Sequence, residues 1–522
     1  MSPRENSPHL YSSLITEALA RYRSRDAFIC GTRHVSYATT AAKVANYRDQ
    51  LTALGFGSGS GMAALSPNIP ELWMVQAAAI TLGGRFTGLH LLGSLEDHVF
   101  VCSDSEASVL VVAEEFAAHG QAIADRVPTI TQVIILSEDD TVHPAPSVPS
   151  GSQTAADSRS SSAAELDEGT IALLQYTGGT TGRPKGVLLS QRAMSHQVLS
   201  LTAGWGLPET PRYLAASPIT HVALLPIVPT LLRGGTVVLL RSFDPTAWFE
   251  AVATHRVNYA FTVPTMLYAL LDDPRSRDHD TSSLQTIVYG ASPMSPARLD
   301  EGRRRFGEIF VQIYGQSENG AIATVLRADD HQPEHLASCG RAVVGTEIAI
   351  LDENGTPLDE EIVGELCVRS PAVMVGYHNR PEETAEALRG GWLHTGDVAR
   401  RDARGFFYIV DRKKDMIISG GYNVYPREIE DALSTHPAVA SAAVIGVPDD
   451  KWGEAVQAIV VLRAGHTPDA EEIRDHVRRL KGAVNTPKAI EFVGSLPLTP
   501  VGKIDKKILR EPHWGNLARQ VH

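Results

Sequence analysis

The sequence predicts an α/β protein with a large N-terminal domain and a small α/β C-terminal domain. Three observations carry that expectation. Short apolar runs of strand length alternate with amphipathic stretches along the chain. The 522 residues exceed what one hydrophobic core usually holds. The polar run Asp411-Arg412-Lys413-Lys414-Asp415 interrupts that text, leaving about a hundred residues beyond it, enough for a small domain. The expected division is 1–410 and 411–522, with a joint at Asp411.

In chain order, Glu71 to Ala79 reads as a helix stopped by Gly83-Gly84. Val109–Val112, Val133–Leu136 and Thr236–Leu240 read as fully buried strands. Gly55 to Gly61 is glycine-rich, but its third glycine falls out of dinucleotide register, so a flexible turn is expected. Pro144 to Gly169 is rich in Ser, Pro and Ala without periodicity and reads as a mobile surface loop. His221 to Leu240 is the longest apolar stretch, yet it carries Pro226, Pro229 and Arg233, which suit a buried core segment and no membrane span. Beyond the joint, a helix containing Glu428, Glu430 and Asp431 precedes strands at Ala442–Val447 and Ala458–Leu462 and a charged helix at Ala470–Leu480.

Composition narrows the function. A net charge of −13 argues against nucleic acid or an anionic membrane as main partner. Cys30, Cys102, Cys339 and Cys367 lie far apart, without metal-type pairing, and read as buried thiols in a reducing compartment. The N-terminus leads into no apolar signal segment, so a cytoplasmic location is expected.

The most informative stretch is Tyr176-Thr177-Gly178-Gly179-Thr180-Thr181-Gly182-Arg183-Pro184-Lys185-Gly186. Glycines let backbone N–H groups converge on an anion, the threonines add hydroxyls, and Arg183 and Lys185 add charge. Pro184 stands where the Walker pattern has its second glycine, so this is another kind of phosphate loop, or else a plain surface turn. Gly290-Ala291-Ser292 and Tyr314-Gly315-Gln316-Ser317-Glu318 each follow an apolar strand, as ligand loops do at the carboxyl edge of an open sheet. An aromatic plane, a close-approach glycine and a carboxylate there suit an adenine and a Mg²⁺ ion. Gly315 to Asn319 resembles a nucleophile elbow, but Asn319 stands where the closing glycine belongs, which counts against a serine hydrolase. Trp392 to Asp397 ends a strand-like segment with a carboxylate able to accept two ribose hydroxyls, or with an ordinary turn aspartate. Lys503 sits on a glycine-flexible C-terminal tip, by itself a solvated charge run.

Taken together, these motifs resemble the adenylate-forming superfamily, in its acyl-CoA synthetase branch. They stand in the family's order from residue 176 to 507: the phosphate loop, Tyr-Gly-Gln-Ser-Glu, Thr-Gly-Asp, Asp-Arg-Lys-Lys-Asp, Gly-Gly-Tyr-Asn-Val-Tyr-Pro and Val-Gly-Lys-Ile-Asp-Lys. The resemblance implies that the N-terminal domain is multi-subdomain and the C-terminal domain mobile. It implies that a carboxylic acid and ATP give an acyl-adenylate and pyrophosphate, after which a thiol takes the acyl group. It implies that Thr177 to Lys185, through Gly178, Gly179, Thr180, Thr181 and Gly182, cradles the β- and γ-phosphates. Glu318 would hold Mg²⁺, Gly290, Ala291, Ser292 and Tyr314 would frame the adenine beside Gly315, Gln316 and Ser317, and Asp397 and Arg412 would hold the ribose. His221 would stand at the mouth of the acid pocket and Lys503 would bridge acid and α-phosphate. After rotation about Asp411, Gly420 and Gly421 would line the passage for CoA, with Trp452 stacked on its base.

Ser317 replaces the commoner threonine, Gln191 follows Ser190 where histidine is usual, and Ile219-Thr220 precedes His221 where an aromatic is common. The last departure leaves the acid's identity open. The expected substrate is a hydrophobic acid, fatty or bulky alicyclic, because Ala223 to Val228 is apolar and without a cation. The competing readings are an aryl-CoA ligase, a ligase loading an acyl-carrier protein, and an idle nucleotide-binding relative, against which Lys503 and Glu318 count; a homodimer stays open.

Overall fold

A computed structural model describes residues 10–138, 143–144, 166–177, 184–412, 415–420, 422–449, 451–467, 469–499 and 503–514. The expected phosphate loop from Gly178 to Arg183, Gly421 and most of the Ser/Pro-rich stretch lie outside them.

Among the described residues the chain forms four sheets. The nine-stranded sheet has a parallel centre in which Asp26–Cys30, Thr236–Leu239, Arg212–Ala215, Tyr259–Thr262, Thr286–Gly290 and Phe310–Tyr314 are neighbours in that order. Three of these six strands are buried throughout and the others at all but one residue, as expected where helices cover both faces. Register matters for function here: Gly290 lies beside Ile313, so the loops after Gly290 and after Tyr314 leave the same edge side by side.

The eight-stranded sheet stacks Gln132–Leu136, Ala107–Ala113, Gly61–Leu65, Arg85–Gly88 and Ile171–Thr177 in parallel. Ile171–Thr177 then turns back antiparallel into Lys185–Ser190, bringing Thr177 opposite Lys185. Helix Pro70–Thr81 is buried over nearly its whole length, with Trp73, Met74 and Val75 inside the largest core cluster. Its Glu71 is wholly buried and takes two bonds from Arg33, at 2.8 and 2.7 Å, and one from Lys43 at 3.3 Å. That pairing is what allows a carboxylate in this position.

An antiparallel four-stranded sheet follows: Glu347–Leu351, Gly364–Arg369, Leu393–Arg401 and Phe407–Arg412. Two expectations are corrected here. The Thr-Gly-Asp motif does not end a strand; Leu393–Arg401 runs past it, and Asp397 sits where the ladder bulges. The strand expected to stop at Val410 continues through Arg412, so Asp411 is itself paired, with Val398.

The last sheet contains Ile417–Ser419, Tyr422–Val424, Val439–Asp449, Gly453–Leu462 and Ala489–Phe492, and draws all its strands from beyond Asp415. Helices Pro426–Ser434 and Ala470–Lys481 cover it around a separate cluster of Ile417, Ile429, Val456 and Ile473. The molecule is thus a mixed α/β protein with a large N-terminal domain and a small C-terminal one. No described helix is long and apolar enough to cross a membrane.

Candidate active site

Asp397 is the centre around which Tyr314, Gln316 and Arg412, three of the sequence-expected residues, gather. Its carboxylate is almost wholly buried, and Oδ2 accepts from the Tyr314 hydroxyl at 2.6 Å and from Gln316 Nε2 at 2.7 Å. Arg412 Nε lies 3.3 Å from Oδ1, on the neighbouring strand where Asp397 and Arg412 are paired. Gln316 also donates to the Thr395 carbonyl at 2.9 Å, tying the loop after Phe310–Tyr314 to the bulge. Burial and the Asp397 carboxylate push the Tyr314 hydroxyl well above the usual tyrosine range, so it stays a donor.

The residues expected to frame the adenine show why glycine is needed at two of these positions. A Cβ on Gly290 would lie 2.4 Å from the Ile313 carbonyl oxygen, and one on Gly315 would lie 2.2 Å from the carbonyl carbon of Ala321. Ala291 takes φ 67°, unusual for a residue with a Cβ, and so turns the chain sharply at the strand's carboxyl end. Ser317–Asn319 forms a single helical turn carrying Glu318, and the Asn319 side chain accepts the Gln316 N–H at 2.8 Å. The residue that spoils the nucleophile elbow therefore braces the loop.

Glu318 accepts from the Tyr377 hydroxyl at 2.9 Å, and Lys185 Nζ lies 5.1 Å from the centre of the same tyrosine ring. Strand Gly376–Tyr377 pairs with Lys185–Ser190, and the Met374 N–H donates to the Glu318 carbonyl at 2.8 Å. Tyr377 thus joins the expected metal ligand to the expected phosphate cation. Sequence reasoning missed it, because a Gly-Tyr pair at the end of a short edge strand carries no chemical signature.

Lys503 precedes Ile504, which forms an antiparallel bridge with Leu498, and its N–H donates to Thr499 Oγ1 at 3.1 Å. Its ammonium is pushed down to about 8, by burial first and by the Arg412 charge next, against the pull of Asp397 and Glu318. The ammonium is buried and feels the charges of the same carboxylates, so it is no solvated tip.

His221 shares this surrounding. Thr220 Oγ1 lies 2.9 Å from its Nδ1, and its ring meets that of His90 edge to face at 5.8 Å between centroids. Burial, with the charges of His90 and Lys503 adding, lowers the imidazole to about 4, so it is neutral in ordinary buffers. Thr220 packs against Gly88, where a Cβ would lie 2.4 Å from the threonine Cβ. His90 is the second residue the sequence reading missed; a histidine among leucines, in Leu89-His90-Leu91-Leu92, was its only signal.

Gly420 and Trp452 meet each other elsewhere on the small domain. The Gly420 N–H donates to the Trp452 carbonyl at 2.8 Å, and a Cβ on Gly420 would lie 2.7 Å from the indole. Lys451 Nζ and Lys488 Nζ lie 4.7 and 5.2 Å from that ring, which is partly exposed. Ser292 lies on the loop after Thr286–Gly290.

Comparison with known proteins identifies the family. The AMP-binding enzyme family model matches residues 15–378, and the AMP-binding enzyme C-terminal domain model matches residues 428–503. The chain is 40% identical over 526 residues to the medium/long-chain-fatty-acid–CoA ligase FadD8 of Mycobacterium tuberculosis, covering 99% of this chain and 92% of that protein. It is 38% identical over 484 residues to a feruloyl-CoA synthase of an Amycolatopsis species, covering 92% of this chain and 94% of the other. Among solved structures, the amide bond synthetase McbA of Marinactinospora thermotolerans superposes with a TM-score of 0.85 at 33% identity, over 96% of this chain and 99% of that one. With both family models matched and a relative 40% identical along almost its whole length, the chain belongs to the AMP-binding enzyme family, in its acyl-CoA synthetase branch.

Proposed function

We propose that this synthetase activates a hydrophobic monocarboxylic acid with ATP and passes the acyl group to CoA. The observation that carries the reading is the convergence of Asp397, Tyr314, Gln316, Arg412, Glu318 and Lys503 on one place, from segments up to 189 residues apart (Tyr314 to Lys503).

In the first step an acid oxygen bonds to the α-phosphorus as the bond to the β-phosphate oxygen breaks, and pyrophosphate leaves. The protein's contribution is placement and charge. Asp397 and Arg412 hold the ribose. Lys503 meets the α-phosphate and the acid carboxylate, where negative charge spreads in the transition state. Thr177 to Lys185 holds the outer phosphates. His221, neutral, faces the acid as a hydrogen-bonding group and repels no cation. Glu318 fits Mg²⁺ by its chemistry, a hard carboxylate oxygen set by Tyr377 beside a phosphate lysine; when bound, the ion would neutralise phosphate charge.

In the second step the CoA sulfur bonds to the acyl carbon, its bond to the AMP oxygen breaks, and the thiol proton is lost to solvent. We assign Asp411 as the joint for the domain rotation this requires. In support, its buried carboxylate accepts the N–H groups of Arg412 at 2.7 Å and Arg427 at 3.0 Å, bridging the strand to the start of helix Pro426–Ser434. Gly420 and Gly421 would then line the thiol's passage, with Trp452 on the nucleotide base. The acid is assigned as apolar because Ala223, Leu224, Ile227 and Val228 beside His221 are buried hydrophobic residues. The four buried free thiols suit a reducing cytoplasm.

The test is a panel of fatty, alicyclic, aryl and dicarboxylic acids with ATP, Mg²⁺ and CoA, reading nucleotide and acyl products. AMP, pyrophosphate and an acyl-CoA from apolar acids are expected. ADP as sole product, or turnover confined to dicarboxylates, would overturn the reading. Because McbA is an amide bond synthetase, amines and a carrier protein belong in the acceptor panel; transfer to either in preference to CoA would replace the second step alone.

A further inference from the structure

Strands Gly364–Arg369 and Leu393–Arg401 lose register beside Asp397. Glu365 pairs with Val398, while Cys367 pairs with His394. The one strand advances by two residues where the other advances by four, so Thr395, Gly396 and Asp397 bow out of the ladder. Backbone groups freed this way need new partners. Gly396 takes φ 69°, and its N–H donates to Glu365 Oε1 at 3.0 Å. Thr395 Oγ1 donates to the Leu366 carbonyl at 2.6 Å and accepts the Asp397 N–H at 3.1 Å. Two consecutive residues of one strand therefore pin the whole bulge.

Glu365 is itself held. Its Oε2 lies 3.1 Å from His394 Nδ1 and 3.2 Å from the Arg389 guanidinium, and Cys367 Sγ is 3.4 Å from the same imidazole nitrogen. Carboxylate, thiol and imidazole lie within 4.8 Å, a set a cation could use. Both carboxylate oxygens are already engaged, though, and burial pushes the Cys367 thiol up to about 12, away from the thiolate a metal takes. The trio serves as a lock on the bulge.

The geometry points to Glu365 as a positioning residue for the ribose: it fixes the bulge that aims Asp397, and acts on the nucleotide only through that carboxylate. Tyr314 and Gln316 hold the Asp397 side chain, and Glu365 with Leu366 holds the backbone beneath it. The inference rests on the proposed grip of Asp397 on the ribose hydroxyls.

The experiment compares adenylation with ATP and with 2′,3′-dideoxy-ATP, which lacks those hydroxyls, in variants whose thermal melting is recorded. Glu365→Ala should raise KM for ATP about tenfold, the loss of one charge-assisted hydrogen bond, and leave KM for the dideoxy analogue unchanged. Glu365→Gln keeps a carbonyl acceptor for the Gly396 N–H and should restore most of the affinity. Thr395→Val, nearly isosteric, releases the other side of the same bulge and should show the same ribose-dependent loss, which decides the matter if Glu365→Ala does not fold. Asp397→Asn is the reference. If Asp397→Asn shows a ribose-dependent loss while Glu365→Ala and Thr395→Val do not, the positioning role is overturned. Should Asp397→Asn bind both nucleotides equally, the ribose assignment falls, and the inference with it.

Discussion

The proposed nucleotide side and the proposed acid side of this site are built differently. Around Asp397 the carboxylate meets Tyr314, Gln316 and Arg412 in polar contacts between named atoms, and the participants come from one loop, a bulge and two strand ends. His221 has the Thr220 hydroxyl as partner and the His90 imidazole facing it, and it is followed in the chain by the buried aliphatic residues Ala223, Leu224, Ile227 and Val228. Polar recognition of a constant group demands fixed residue types at fixed places. Apolar recognition of a tail demands only volume and shape, which many sequences can supply. On the proposed assignment, one half of the site recognises a constant nucleotide and the other half would set the acid preference of this chain.

Three perturbations sharpen or break that contrast. The largest effect belongs to Lys503→Ala, which should slow acyl-adenylate formation about a hundredfold or more by removing a charge aimed at the developing negative charge. The same variant should still convert supplied acyl-adenylate and CoA to thioester, as read by single-turnover assays of each half-reaction. Equal loss of both, with melting unchanged, would mean the lysine is not specific to the nucleotide side.

Next comes His90→Ala, on the acid side. Removing the ring that faces His221 should change the ratio of kcat/KM between a bulky and a slender acid by about tenfold, and leave KM for ATP within about twofold. A change in ATP affinity with no change in acid preference would erase the division drawn above.

The smallest effect is in pH. Lys503 works as a cation and its ammonium is lowered to about 8, so its contribution is present below that value and lost as the proton leaves above it. kcat/KM for adenylation should fall about fivefold between pH 8 and pH 9, and Lys503→Arg, which holds its proton, should flatten the fall. His221, lowered to about 4, should add no inflection between pH 5 and pH 8. An unshifted inflection in Lys503→Arg would assign the titration to another group.

The same contrast explains what could be read from the chain beforehand. The strands entering Gly290 and Tyr314 and the order of the nucleotide motifs were legible, because fixed chemistry leaves fixed letters. The bulge was not: Glu365 and Gly396 lie 31 positions apart, and their bond exists only in the register of two antiparallel strands. Tyr377 escaped for the same reason, since it reaches Glu318 across 59 positions from an edge strand. The helix Pro70–Thr81 was recognised, but nothing local announced that Glu71 would be buried between Arg33 and Lys43. The expected phosphate loop falls outside the described residues from Gly178 to Arg183, so its cradle rests on motif and on Thr177 facing Lys185.

The lowered ammonium at Lys503 has a calorimetric consequence. With a value of about 8, about a quarter of the resting enzyme lacks that proton at pH 7.5. A triphosphate arriving beside it favours the charged form, so nucleotide binding should draw a fraction of a proton from the buffer. The heat of ATP binding is then expected to vary with the buffer's ionisation enthalpy, and the slope of that variation counts the protons taken up. This site would thus collect part of its cationic charge from solvent at the moment the anion enters.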